Sequence, residues 1–81
     1  MIDRSAIEEI VMGNENFPGW TSQRLIVGIK SIQNVLFVDA RKWNLNLDGG
    51  YRPRDGLMLQ VNHWPIVLSK IQEMLDKNQN A

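Results

Sequence analysis

From Gln23 to Trp43 the chain alternates. In "QRLIVGIK" Leu25, Val27 and Ile29 fall on one side of an extended backbone and Arg24, Ile26 and Lys30 on the other. In "VLFVDARKW" Phe37, Asp39, Arg41 and Trp43 alternate with Leu36, Val38, Ala40 and Lys42. A period of two in residues rich in β-branched and aromatic types predicts strands, and the break at "SIQN" predicts a tight turn joining them as a hairpin. "NLNLDGGYRPRDG" has the Gly, Asn, Asp and Pro content of a loop, and "GLMLQ" after it reads as a short strand. From Asn62 the period becomes helical: Trp64, Val67, Leu68, Ile71, Met74 and Leu75 form an apolar stripe, with Lys70, Glu73, Asp76 and Lys77 elsewhere. Asn62 is the expected cap, Pro65 sits in the first turn where a missing N–H breaks no bond, and the tail "KNQNA" is expected to fray. Near the start, "NENFPG" is a loop, while Ile7, Ile10 and Val11 in "AIEEIVM" suit either a helix or an edge strand.

Length narrows the picture to one domain, since 81 residues close only one small core. The absence of cysteine excludes disulfide stapling and thiolate metal sites, so good packing or self-association must offset the small size. "MIDRSAIEEIVMG" lacks the features of a secretory leader and no apolar run could cross a bilayer, so no membrane partner is expected. The expected location is the cytoplasm, on the nucleoid, or the host cytoplasm for a viral protein.

A net charge of zero argues at first against nucleic acid. Its distribution alters that reading. Before Trp20, Arg4 stands against Asp3, Glu8, Glu9 and Glu15, a net of −3. Trp20 to Arg54 holds Arg24, Lys30, Arg41, Lys42, Arg52 and Arg54 against Asp39 and Asp48, a net of +4. The rest sets Lys70 and Lys77 against Asp55, Glu73 and Asp76, a net of −1. A basic middle between acidic flanks makes a local positive field.

Two chemical motifs offer other readings. Asn44, Asn46, Asp48, Gly49 and Asp55 outline a calcium loop, but Asn44 replaces the first carboxylate, Asp55 is shorter than the usual Glu, and Arg52 and Arg54 put positive charge inside it. His63 is the sole histidine and has neither a cysteine nor a second imidazole to complete a zinc site; it reads as a solvated first-turn residue. The acids are scattered without a convergent base or nucleophile, so no enzyme and no cofactor is expected.

Taken together, "VDARKW", "RPRDGLML" and "QVNHW" resemble the positive cofactor four family of transcriptional coactivators and single-stranded-DNA-binding proteins. In that family an Asp-x-Arg strand with a following aromatic leads through a basic loop to a Gly-apolar-x-Leu strand and a helix entered at Trp. The resemblance runs from about Arg24 to Leu75, and "NENFPGW" is similar to the Gly-Trp pair of bacterial and phage relatives, which tips Ala6 to Met12 toward a first strand. It implies an α+β fold: a curved four-stranded antiparallel sheet followed by one carboxy-terminal helix (ββββα), in a homodimer paired through that helix. Trp64, Val67, Leu68, Ile71 and Leu75 would form the interface.

The resemblance also implies sequence-nonspecific single-stranded DNA binding. Arg41 matches the arginine of Asp-x-Arg, and Arg52 the basic residue before the family's proline. Arg54 falls in the same basic cluster, where Asp55 replaces a common basic residue. Trp43 matches an aromatic that is often core, and Asn44 stands where a DNA-stacking aromatic can occur. Trp20, Arg24 and Lys30 on the first hairpin strand complete the candidate set, since spaced cations follow phosphates while Trp and Arg planes stack on unpaired bases. Transcription, replication, recombination or repair could each be served, and transcription or replication proteins are further candidate partners. The competing reading is an interaction module that contacts a polymerase or recombination factor and binds nucleic acid weakly.

Overall fold

The computed structural model describes residues 6–79. Four strands, β1 (Ala6–Met12), β2 (Gln23–Ile32), β3 (Val35–Leu45) and β4 (Tyr51–Gln60), precede one helix, α1 (Trp64–Gln79). They form a single open, curved antiparallel sheet in the order β1-β2-β3-β4, so every strand pairs with its neighbour in sequence. The fold is the expected ββββα. Among the described residues no helix is long and apolar enough to cross a membrane.

The central hairpin follows the alternation. Val27 lies opposite Ala40 and Ile29 opposite Val38, whereas Ile26 faces Arg41 and Lys30 faces Phe37. Directly opposed residues share a face, so the two sides separate as the pattern predicts. Only Gln33 and Asn34 connect β2 to β3, with φ of 51° and 66°. Two successive left-handed residues make the kind of turn whose twist matches that of the flanking strands.

Strand β4 departs from expectation. "YRPRDG" is strand rather than loop, because β3 runs on to Leu45 and offers partners as far as Tyr51: Leu45 lies opposite Tyr51, Asn44 opposite Arg52 and Trp43 opposite Pro53. Pro53 is tolerated because β4 is an edge strand, where a missing N–H breaks no ladder on the open side. The register shifts between Arg41 and Trp43.

Gly56, opposite Arg41, permits the closest approach in the sheet. A Cβ there would lie 2.8 Å from the Ala40 carbonyl oxygen and 2.8 Å from Cβ and Cγ of Arg41. The Arg41 side chain instead passes over the glycine and donates from Nη1 to the Arg54 carbonyl at 3.1 Å. Gly56→Ala is therefore expected to lower stability by about 1–3 kcal/mol through overpacking, read as a lower urea midpoint.

The helix starts later and ends later than its sequence suggests. Val61 N–H is tied to the Leu36 carbonyl and His63 N–H to that of Gln60, each at 3.0 Å, which holds Asn62 in a turn. The His63 carbonyl accepts from Val67 N–H at 3.3 Å, so the exposed His63, rather than Asn62, occupies the cap position. At the other end the helix continues through Gln79, with Gln72 Nε2 donating to Asp76 Oδ1 at 2.7 Å and Asn78 Nδ2 to the Met74 carbonyl at 2.8 Å. Asn80 and Ala81 of the tail expected to fray lie outside the described residues.

Trp64 anchors the helix to the sheet: its Nε1 donates to the Val38 carbonyl at 2.9 Å. Trp64 and Leu68 roof an apolar cleft of about 310 Å³ floored by Val27, Val38 and Ala40. Every residue from Leu68 to Gln79 is exposed, and among the described residues no hydrophobic side chain is fully buried. The apolar stripe of α1 is thus left uncovered in the single chain.

Candidate nucleic-acid interface

The face that carries the helix changes character along its strands. Val27, Val38 and Ala40 lie beneath the helix, and the same alternation brings Gln23, Lys42 and Asn44 to this face where β2 begins and β3 ends. Gln23, Lys42, Asn44, Arg54 and Asp55 line a small cleft of about 60 Å³, and Arg52 stands opposite Asn44. Lys42, Arg52 and Arg54 against Asp55 leave this end net positive. Asn44 Oδ1 is buried without a hydrogen-bond partner, an acceptor whose desolvation is uncompensated.

Trp20 joins this end through the loop between β1 and β2. Its N–H bonds the Phe17 carbonyl at 3.0 Å, and its ring meets that of Phe17 at a centroid distance of 4.6 Å and a tilt of 37°. Lys42 Nζ lies over the indole, 5.1 Å from the ring centroid, a cation–π contact between sheet and loop. Arg24 fixes the loop from below, with Nη1 donating to the Gln23 carbonyl at 2.7 Å and to the Trp20 carbonyl at 3.4 Å. Gly13 makes room for it: a Cβ there would lie 2.7 Å from Arg24 Cδ. Arg24 is thereby a brace for Trp20.

The opposite face holds the other candidates. Asp39, only 7% exposed, sits between two cations, Lys30 Nζ at 3.3 Å from Oδ2 and Arg41 Nη2 at 3.3 Å from Oδ1. Arg41 Nε adds a bond to Oδ2 at 3.4 Å. This cluster carries one surplus positive charge, and its geometry ties Lys30 and Arg41 to the sheet. Trp43, half-buried between Arg24 and Pro53 on the neighbouring strands, is on this face as well.

The eight predicted binding residues therefore divide. Trp20, Asn44, Arg52 and Arg54 gather at one end of the helix-bearing face, and Arg24 supports them, while Lys30, Arg41 and Trp43 lie behind. Lys42 and Gln23 belong to the gathered set but were not among the candidates. They share a face with the apolar Val38 and Ala40 and with Leu25 and Val27, and the position of the Trp20 loop brings Lys42 into use. The calcium-loop outline is spent on a turn in which Gly50 N–H bonds Asp48 Oδ1 at 2.9 Å and Asn46 N–H bonds the Gly50 carbonyl at 2.6 Å. Among the described residues, no three His, Cys, Asp or Glu side chains are grouped to hold a metal ion.

Of the predicted interface residues, Trp64 and Val67 are half-covered, while Leu68, Ile71 and Leu75 stand exposed along the helix. No family model matches the chain, and neither does any curated protein or solved structure.

Proposed function

We propose that the protein binds single-stranded DNA as a homodimer, with little sequence preference, in the manner of the positive cofactor four family it resembles. The observation that carries this reading is the meeting of Trp20, Lys42, Asn44, Arg52 and Arg54 at one end of one sheet face. Cations spaced along strands follow a phosphate chain, and an indole at their margin offers a surface on which an unpaired base stacks, worth roughly 1–3 kcal/mol per base. A duplex hides its base faces and gains only the charge term. The exposed apolar stripe of α1 suits the dimer part of the reading, and pairing through it would place two such ends on one particle and double the length of strand held.

Titration of fluorescently labelled single- and double-stranded oligonucleotides of matched length at two salt concentrations tests it. The single strand is expected to bind more tightly, with affinity falling steeply as salt rises. Equal or tighter binding of the duplex overturns the proposal.

A further inference from the structure

The two edges of the sheet are built differently. On β4, Pro53 has no N–H to offer, and Arg52, Arg54 and Asp55 place charges along the strand, both of which discourage a further strand. Each edge strand has one register shift, that of β1 falling at its start, between Ala6 and Glu8, so that Glu8 to Met12 run in regular register with β2. On β1 there is no proline, lysine or arginine. Ile10, opposite Val27, and Val11, opposite Ile26, emerge on the two faces and are 54% and 58% exposed, and Ile7 is 65% exposed. Glu8 and Glu9 lie between these apolar positions, exposed, and neither is ion-paired with a described side chain. Among the described residues nothing pairs with the outer side of β1.

We propose that the outer edge of β1 receives an extended segment of another protein as a fifth strand, and that this segment reads apolar, basic, basic, apolar. The backbone ladder supplies the attachment and the side chains the choice. Ile7-Glu8-Glu9-Ile10 presents consecutive carboxylates on opposite faces between apolar neighbours, so the complementary strand must place consecutive cations across from them. A second copy of β1 fits poorly, because it would bring four carboxylates onto one short ladder. The chain's single run of the complementary type, Ala40-Arg41-Lys42-Trp43, is already paired on both sides within β3.

The test uses the full chain labelled with nitrogen-15 and three short synthetic peptides, built on valine-lysine-lysine-valine, on valine-glutamate-glutamate-valine, and on the lysine peptide with a proline at its centre. The lysine peptide is expected to perturb the amides of Ile7 to Val11 and to bind roughly three- to tenfold more tightly than the glutamate peptide, with the proline peptide weak. Glu8→Lys combined with Glu9→Lys, at two exposed positions, should reverse that order without loss of spectral dispersion. Perturbations centred on β4 or around Trp20, an unchanged order in the charge-reversed variant, or pairing of β1 between copies that the peptide does not displace would each overturn the proposal.

Discussion

Ile71→Glu is expected to leave no folded protein at micromolar concentration, rather than a destabilised version of it. The reason lies in what a single copy fails to bury. A fully buried aliphatic or aromatic side chain contributes about 1.5–3 kcal/mol, and ordering each residue costs about 1–2 kcal/mol in backbone entropy. Among the described residues no hydrophobic side chain is fully buried, and Leu68, Ile71, Met74 and Leu75 are 41–58% exposed along one side of α1. The cleft under Trp64 and Leu68 is open as well. In the proposed homodimer a second copy would lay its helix against this surface and complete the core, so that folding and association would become one event. For the wild type this predicts a dimer by sedimentation and a melting temperature that rises with protein concentration. A glutamate at 71 would sit unpaired in the new interface, whereas Ser69→Glu, on the polar side of the helix, should leave both fold and dimer in place. A wild-type chain that stays folded and monomeric at high micromolar concentration would refute the argument.

Two pairs of cations, each removing the same formal charge, should give opposite outcomes. Arg52→Ala with Arg54→Ala alters exposed side chains of an edge strand. Thermal stability should hardly change, single-strand affinity should fall for every sequence alike by about tenfold, and the slope of log affinity against log salt should flatten by about 1.4. Lys30→Ala with Arg41→Ala instead strips both partners from Asp39 and leaves a covered carboxylate alone. That loss should appear as instability of about 3 kcal/mol, because breaking a buried pair costs more than the pair contributes, with a smaller change in salt slope. Calorimetry and fluorescence titration of the two variants side by side separate these cases. If the first pair binds with unchanged affinity and slope, the contacts lie elsewhere on the sheet.

What could be read from the chain before its structure was what short-range periodicity encodes. The face assignments of β2 and β3, the turn at Gln33 and Asn34, and the stripe on α1 all follow from alternation or helical spacing, and each recurs in the fold. The start of β4 was hidden because Gly, Asp and Pro carry loop character locally, and the extent of β3, a partner distant in sequence, decides the matter. The surroundings of the charges were hidden for a related reason. Arg24, Lys30 and Arg41 look available in sequence, but Asp39 and the Trp20 loop engage them across strands. Lys42 is not singled out by alternation, because it shares a face with Val38 and Ala40 and meets Trp20 only through the fold of the loop.

The strand order places Glu8 and Glu9 at one margin of the sheet and Arg52 and Arg54 at the other, three strand spacings or roughly 14 Å apart. Each copy, with no net charge, thereby carries an electric dipole in the plane of its own sheet. A polyanion at a distance exerts almost no pull on it, yet exerts a torque that turns the arginine margin inward before contact. That torque acts only within about a Debye length, ~10 Å at 0.1 M salt. Rising salt should therefore first scramble the orientation of encounters, seen as a falling association rate, before it loosens complexes already formed.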